Sequence, residues 1–355
     1  MNTISLCLIV KNEETVLERC LNSVKDLVDE IVIVDTGSSD NTINIAKKFT
    51  SKVYSFKWQN DFSLARNYAF SLASGNYLMW LDADDVVPAK TITHLKKLKP
   101  FFNADVYMLK YCMQNGDGNI TLEFYRERII KNCKNAVWVG AVHECITPFG
   151  KVERLNLSIL HKKIENKKQS NRNLNIYKTL AKKRKLTPRE QYYFGRELFD
   201  HKLYNLCILT LNDFVNSKQG FKENVIDALF LLSLCYKQKN DSHNMLISLF
   251  KTFEYDTPRA NACCLIGDYF YNNQNYNTAI FWYQTATKCS DPTIKGGFVN
   301  KIYFNYYPFL QLSCCYYFLN DIKMANSYNL KAEKFYKTKA TESNKLLYQR
   351  LLNKE

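Results

Sequence analysis

No apolar run in this 355-residue chain approaches the length of about 20 residues that a bilayer-spanning helix needs, which excludes a helical membrane protein. Among its twelve cysteines no CxxC spacing occurs, so the usual thiolate metal and redox motifs are missing. Two pairs, Cys263-Cys264 and Cys314-Cys315, are adjacent within helical patterns and read as reduced core residues of a cytosolic protein, with no disulfide framework. The stretch Met1–Val10 lacks a basic leader region and ends at Lys11-Asn12-Glu13-Glu14 without a small-residue cleavage site, so it reads as a first strand and not as a signal peptide. Also missing is a glycine-rich N-terminal loop followed by a basic residue, which argues against a nucleotidyltransferase gripping a triphosphate.

What is present describes an ordinary globular chain, with 46% hydrophobic and 23% charged residues and enough length for two domains. The net charge of +15 is partly concentrated: between Lys162 and Lys185 there are ten Lys or Arg and one acid, Glu165. Nucleic acid, an anionic membrane surface and an acidic substrate compete as explanations. No recognisable nucleic-acid module accompanies the stretch, so no nucleic-acid partner is expected. A solvated basic helix explains it best, with a peripheral membrane contact second.

The first half alternates strands and helices. Ile4–Val10, Glu30–Asp35 and Lys52–Phe56 have strand composition; Glu14–Val24, a segment from the Asp40 N-cap to Phe49, and Phe62–Ala73 have helical spacing. Such alternation predicts a parallel sheet covered on both faces, with ligands beyond the carboxyl ends of its strands. Lys11-Asn12-Glu13, Asp35 and Asp82/Asp84 all fall at those ends.

The run Tyr77-Leu78-Met79-Trp80-Leu81 reads as a buried strand that stops at Asp82-Ala83-Asp84-Asp85. Three carboxylates at one strand tip are costly unless something cationic offsets them. Mg²⁺ commonly sits between one or two carboxylates and substrate phosphates, so a metal–diphosphate site is the sharp reading. A solvated loop with an Asx-turn is the bland one. From Pro188 onward the texture is helical. Gly267, Phe270, Ala279, Tyr283 and Ala286, followed by Pro292, have the spacing of a tetratricopeptide helix pair. Ser313, Tyr316, Ala325 and Ala332 repeat it, with weaker copies at Gly195, Leu198, Cys207 and Leu211 and over Cys235–Phe253. The expected division is a catalytic domain over 1–165, a basic helical linker over 166–187 and an α-helical repeat domain over 188–355.

The segments Ser5–Glu14, Ile33–Thr42, Asn60–Asn67 and Leu81–Asp85, in that order, resemble a family 2 glycosyltransferase of the GT-A fold. The similarity continues through Trp138-Val139-Gly140-Ala141-Val142-His143-Glu144, Leu160-His161 and Arg172-Asn173 into the repeats. Among such enzymes with attached repeats, the chain is similar to the bacteriocin peptide S-glycosyltransferases of the sublancin type. The resemblance implies an α/β GT-A domain and a UDP-sugar donor with Mg²⁺ or Mn²⁺. Asp84 is implied as the direct metal ligand, with His161 supplying a nitrogen and Asp82 reaching the metal, a metal-bound water or the ribose. Asp85 either coordinates or backs the ligands. Asp35 would accept from the uracil N–H, Glu13 would bind ribose or base, Arg66 would contact base or phosphate, and Val10, Asn12 and Ala83 complete the donor site.

Lys162-Lys163-Ile164 departs from the commoner pattern after the histidine, and those lysines offer a diphosphate contact instead. Without the resemblance, His161 reads as a structural histidine and Arg66 as an ion-pair partner of Asp61. Glu144 is implied as the general base, with His143 as alternative base or donor-sugar orienter; the plain alternative is a Glu144 held by Arg126 or Arg128. The expected function is inverting, metal-dependent transfer of a hexose, UDP-glucose first, to a Cys or Ser side chain of a peptide or protein. The alternatives are a cell-surface or lipid-linked glycan acceptor, and a nucleotide-binding repeat scaffold without catalysis. A cytoplasmic location and a homodimer through the helical repeats are expected.

Overall fold

Six of the seven residues of the first strand are buried in the computed structural model, the pattern of a strand covered on both faces. The structure describes residues 2–114, 120–162, 171–292, 295 and 299–353. Two units divide the chain, Met1–Leu186 and Thr187–Glu355.

In the first unit the order is β1 (Ile4–Val10), α1 (Leu17–Val24), β2 (Glu30–Asp35), α2 (Thr42–Lys47), β3 (Val53–Ser55), α3 (Phe62–Ser71), β4 (Tyr77–Trp80), β5 (Asp85–Val86) and α4 (Ala89–Leu98), then β6 (Val106–Gln114), β7 (Ile120–Lys131), β8 (Trp138–Val139), β9 (Cys145–Ile146), β10 (Val152–His161) and α5 (Arg172–Lys183). The main sheet runs β3-β2-β1-β4-β7-β6-β10-β5. Alternate residues serve opposite faces. Ile4, Leu6, Leu8 and Val10 join Leu17, Leu21 and Val24 of α1 and Leu95 of α4 in one core. Cys7, Val32, Val34 and Trp80 join Ala69 and Phe70 of α3 and Trp138 in the other.

The parallel order expected from the strand–helix alternation holds for the first four strands, and the sheet as a whole is mixed. β3, β2, β1 and β4 are parallel. β7 runs antiparallel to both β4 and β6, and β10 is parallel to β6 but antiparallel to β5. Only residues 115–119 separate β6 from β7. A parallel connection needs a crossover of a dozen residues or more, so this pair reverses.

Helix α5 lies within the first unit. It buries Leu174, Ile176 and Tyr177, and the Tyr177 hydroxyl donates to the Val142 carbonyl at 3.1 Å. Residues 163–170 of the basic stretch lie outside the described residues.

The second unit contains α6 (Pro188–Asp200), α7 (Tyr204–Asn216), α8 (Lys222–Gln238), α9 (Ser242–Lys251), α10 (Ala260–Asn272), α11 (Tyr276–Ala286), α12 (Tyr306–Phe318), α13 (Ile322–Glu333) and α14 (Lys339–Leu352). One turn recurs inside four helix pairs. Lys202, Asn240, Gln274 and Asn320 all adopt positive φ, between 57° and 62°. In the last three pairs the next residue but one starts the second helix, capped by Asp241, Asn275 or Asp321. The copy over Cys235–Phe253, faint in sequence, therefore shares the turn of the others.

Candidate active site

The tip of β4 disperses its carboxylates. The Asp85 amide donates to the Asp82 carbonyl and the Asp82 amide to Asp85 Oδ2, both at 3.0 Å, closing a tight turn. Asp85 is driven inward, where Arg128 Nη1 meets its Oδ2 at 3.1 Å and both side chains are fully buried. Asp84 faces outward towards β10, and its Oδ1 stands 3.2 Å from His161 Nδ1. Asp82 instead pairs with Arg66 Nη2 at 2.6 Å.

Asp84, Asp85 and His161 offer ligand atoms that all lie within 4.8 Å of one another, and among the described residues they form the group of this kind. Carboxylate and imidazole donors suit Mg²⁺ or Mn²⁺. Burial opposes charge on His161, but its hydrogen bonds to Asp84 and Asp85 prevail and lift its pKa to about 9. The site thus attracts a cation even when that cation is a proton, and the donor set fits a divalent metal. Asp82 does not belong to this group. Burial resists ionisation of its carboxyl, yet Arg66 and Arg128 draw its pKa down to about 2.

Arg66 rises from α3, whose N-terminus is capped by Asp61 through the Leu64 amide at 3.2 Å. Asp61 is therefore a cap, and Arg66 turns the other way. Its Nη2 holds Asp82 and its Nε holds Glu144 Oε1, each at 2.6 Å. The guanidinium lies 4.9 Å from the Trp80 ring centroid and 4.8 Å from that of Trp138, so aromatic faces confine it as carboxylates grip its edge. Arg126 donates to the backbone carbonyl of Glu144 at 3.2 Å, while the Glu144 carboxylate belongs to Arg66. The loop carrying Glu144 turns sharply, with Gly140 at φ +100° and His143 at φ +51°. The His143 ring stacks on Tyr177, with centroids 6.4 Å apart.

Two cavities meet at this guanidinium. One, of about 210 Å³, is lined by Val10, Glu13 and Thr36 at the ends of β1 and β2 and by Ala83 and Asp84. The other, of about 190 Å³, is lined by Arg126, His143, Glu144 and Asn173. Phe62, Arg66, Asp82 and Arg172 line both. Asp35 lies at the edge: it is only 4% exposed, and its carboxylate accepts from the Gly37 and Ser38 amides at 2.9 and 3.0 Å. Asn12 braces the same loop, taking the Ser39 amide on Oδ1 at 2.8 Å. The Glu13 amide donates to Thr42 Oγ1 at 2.8 Å. Lys162 is exposed and its amide donates to the Asp84 carbonyl at 3.0 Å; Lys163 and Ile164 are outside the described residues.

Sequence reasoning missed Tyr111, and it offered Arg128 to Glu144 where the structure pairs it with Asp85. Tyr111 donates to Asp85 Oδ1 at 2.9 Å and stands 2.7 Å from His161 Nδ1. Arg128 packs its guanidinium 3.7 Å from the Trp80 centroid. A polar residue in the middle of a strand gives no signal of its own until the strand order is known.

Residues 5–148 match the model of glycosyl transferase family 2. The chain is 29% identical over 286 residues to the SPbeta prophage-derived glycosyltransferase SunS of Bacillus subtilis, an alignment covering 76% of this chain and 65% of SunS. It is 45% identical over 96 residues to a TPR repeat-containing protein of Synechococcus elongatus, over 27% of this chain and 24% of that protein. A crystal structure of S. aureus TarS 1–349 in complex with UDP-GlcNAc aligns with 68% of this chain and 89% of its own, at 16% identity and a TM-score of 0.42, too loose a likeness to inform the site. The chain spans about 65% of the length of SunS. Its architecture is a GT-A-like mixed sheet followed by TPR-like helices.

Proposed function

Starting from a chain whose residues 5–148 match the glycosyl transferase family 2 model, we propose that it transfers a hexose from a UDP-sugar, UDP-glucose first, to a Cys or Ser side chain of a peptide or protein with inversion at the anomeric carbon. The observation that carries this reading is the Asp82–Arg66–Glu144 chain, which links the cavity at the strand ends to the cavity bearing Glu144. The first cavity takes the nucleotide diphosphate and the second takes the acceptor. The acceptor sulfur or oxygen forms its bond to the anomeric carbon as the bond to the diphosphate oxygen breaks, and UDP departs with that electron pair. The acceptor proton passes to Glu144 Oε2, the oxygen not gripped by Arg66 Nε. A divalent cation, when bound, neutralises charge growing on the departing diphosphate, and Asp84 and His161 are the residues that would hold it.

The peptide acceptor rests on the resemblance of the sequence motifs to peptide S-glycosyltransferases and on the attached repeats, which suit extended ligands. The test is a UDP-release assay with a panel of UDP-sugars and Mg²⁺ or Mn²⁺, without acceptor and then with Cys- and Ser-containing peptides. Peptide-stimulated release with a hexose mass shift on the peptide is expected. Metal-dependent hydrolysis without peptide stimulation would move the acceptor to a glycan. No release from any donor would overturn the catalytic reading.

A further inference from the structure

The Asp85 carboxylate is fully buried and hydrogen-bonded on both oxygens. Its Oδ1 accepts from the Tyr111 hydroxyl at 2.9 Å and lies 3.3 Å from His161 Nδ1. Its Oδ2 accepts from the Asp82 amide at 3.0 Å and from Arg128 Nη1 at 3.1 Å. Of the roughly four positions a carboxylate offers, three are taken by these donors and the fourth faces the His161 ring. Arg128 is as deeply enclosed. It is fully buried, its guanidinium sits 3.7 Å from the Trp80 centroid and 4.4 Å from that of Tyr111, and Nη1 also donates to the Trp80 carbonyl at 3.2 Å. Its Nε and Nη2 have no hydrogen-bond partner among the described residues, and Asp85 is its one carboxylate at ion-pair distance there. It lines neither of the two cavities.

We infer that Asp85 is a positioning residue and not a metal ligand: with Arg128 and Tyr111 it forms a buried clamp that fixes the Asp82–Asp85 turn and orients His161, leaving Asp84 and His161 as the protein's ligands. The inference rests on the divalent-cation reading above. To coordinate through Oδ2, Asp85 would have to release the Asp82 amide or Arg128, and releasing Arg128 strands a guanidinium with no access to water; Oδ1 is held by the Tyr111 hydroxyl. Asp84 carries no such burden, with its side chain 26% exposed beside His161. The clamp also sets the charge of the site. Because Arg128 neutralises Asp85, a bound divalent cation faces one unneutralised ligand carboxylate, Asp84, and keeps positive charge for a diphosphate. Outer carboxylates that hold a ligating histidine in this way are a general means of fixing metal ligands.

The test is a Mn²⁺ titration followed by electron paramagnetic resonance, on wild type and on Asp84→Asn, Asp85→Asn and the neutral-pair variant Asp85→Asn/Arg128→Met, with folding checked by circular dichroism. Asp84→Asn should abolish the saturable site. Asp85→Asn should keep it with affinity lowered about 10- to 100-fold, as for an outer-shell partner. The neutral pair, with no buried guanidinium left unpaired, should recover most of that loss. Equal abolition in folded Asp84→Asn and Asp85→Asn, with no recovery in the double variant, would overturn the clamp. Should Asp85→Asn not fold, Tyr111→Phe takes its place: a weakened but saturable site supports the clamp, and unaltered affinity overturns it. Absence of a Mn²⁺ site in the wild type would instead sink the cation reading itself.

Discussion

Arg66 Nε lies 2.6 Å from Glu144 Oε1, across 78 positions of sequence, and Nη2 of the same guanidinium lies 2.6 Å from Asp82. One rigid cation thus sets the spacing between the strand tip and the loop of the second cavity. Its planar fork suits this task in a way a lysine ammonium does not. Trp80 and Trp138 flank the guanidinium and keep water from competing for it.

Removing that cation should cost both stability and turnover. Arg66→Met takes the partner from Glu144, whose side chain is 11% exposed, and breaking a buried pair costs about 3–5 kcal/mol; the Asp82 arm, 35% exposed, adds little. Arg66→Lys keeps the charge and loses the two-armed grip, so it should fold better than Arg66→Met yet lose most turnover. Urea denaturation and UDP-release rates on both variants check this. A Lys variant with wild-type turnover would show that the fork is unimportant.

Glu144→Gln separates a base from a brace. The amide can still accept from Arg66 Nε but cannot take a proton from the acceptor. Turnover should fall by about 10²- to 10⁴-fold while UDP affinity stays within a few-fold of wild type. Unchanged turnover with weakened UDP binding would make Glu144 a holder of Arg66 and shift attention to His143.

Chelation offers a direct check on Asp84 and His161. EDTA should abolish sugar transfer and excess Mn²⁺ should restore it, because the two side chains present a hard oxygen and an imidazole to a divalent ion. Full activity in EDTA would remove the metal from the mechanism.

How much of this was legible depended on where each residue sat along its strand. Asp35, Asp82 and Asp84 follow buried β-branched or apolar runs, so the sequence shows both the strand and the polar group beyond its end. Tyr111 and Arg128 sit inside β6 and β7, where a polar residue looks like any outward-facing neighbour. Only the order β4-β7-β6-β10 brings them under Asp85 and beside His161. Helix α5 was hidden by its charge: the basic residues declare a solvated face, whereas Leu174, Ile176 and Tyr177 on the other face tie it to the first unit.

The base of the sheet makes a pH prediction. Burial resists ionisation of Glu30, but hydrogen bonds from Lys52, Ser5 and Ser74 outweigh it and lower its pKa from the ordinary 4.5 to about 2. A folded-state value below the unfolded one stabilises fully above about pH 4.5, and the contribution is lost as pH falls from there through about 2. Glu30→Gln should therefore lower stability at pH 7 and flatten the acid limb of a stability profile between those limits. Parallel curves for the two proteins across that window would mean that Glu30 does not titrate with folding.

In the repeats, the small residues of one helix make room for large residues of the next. A Cβ added at Gly195 would stand 2.6 Å from Leu211 Cγ, and one at Gly267 would stand 2.7 Å from Tyr283 Cε1. Neither neighbour can retreat. Leu211 is fully buried, and Tyr283 is held by its hydroxyl, which donates to Asp268 Oδ1 at 2.7 Å. Replacing glycine by alanine within a helix ordinarily gains about 1 kcal/mol. Overpacking costs about 1–3 kcal/mol, so the collision should win at both positions. Gly195→Ala and Gly267→Ala should each lower Tm by a few degrees, with the full circular dichroism helix signal retained at low temperature. A raised Tm at either position would mean that the helix pair can spread, and that the glycine spacing reflects something other than close packing.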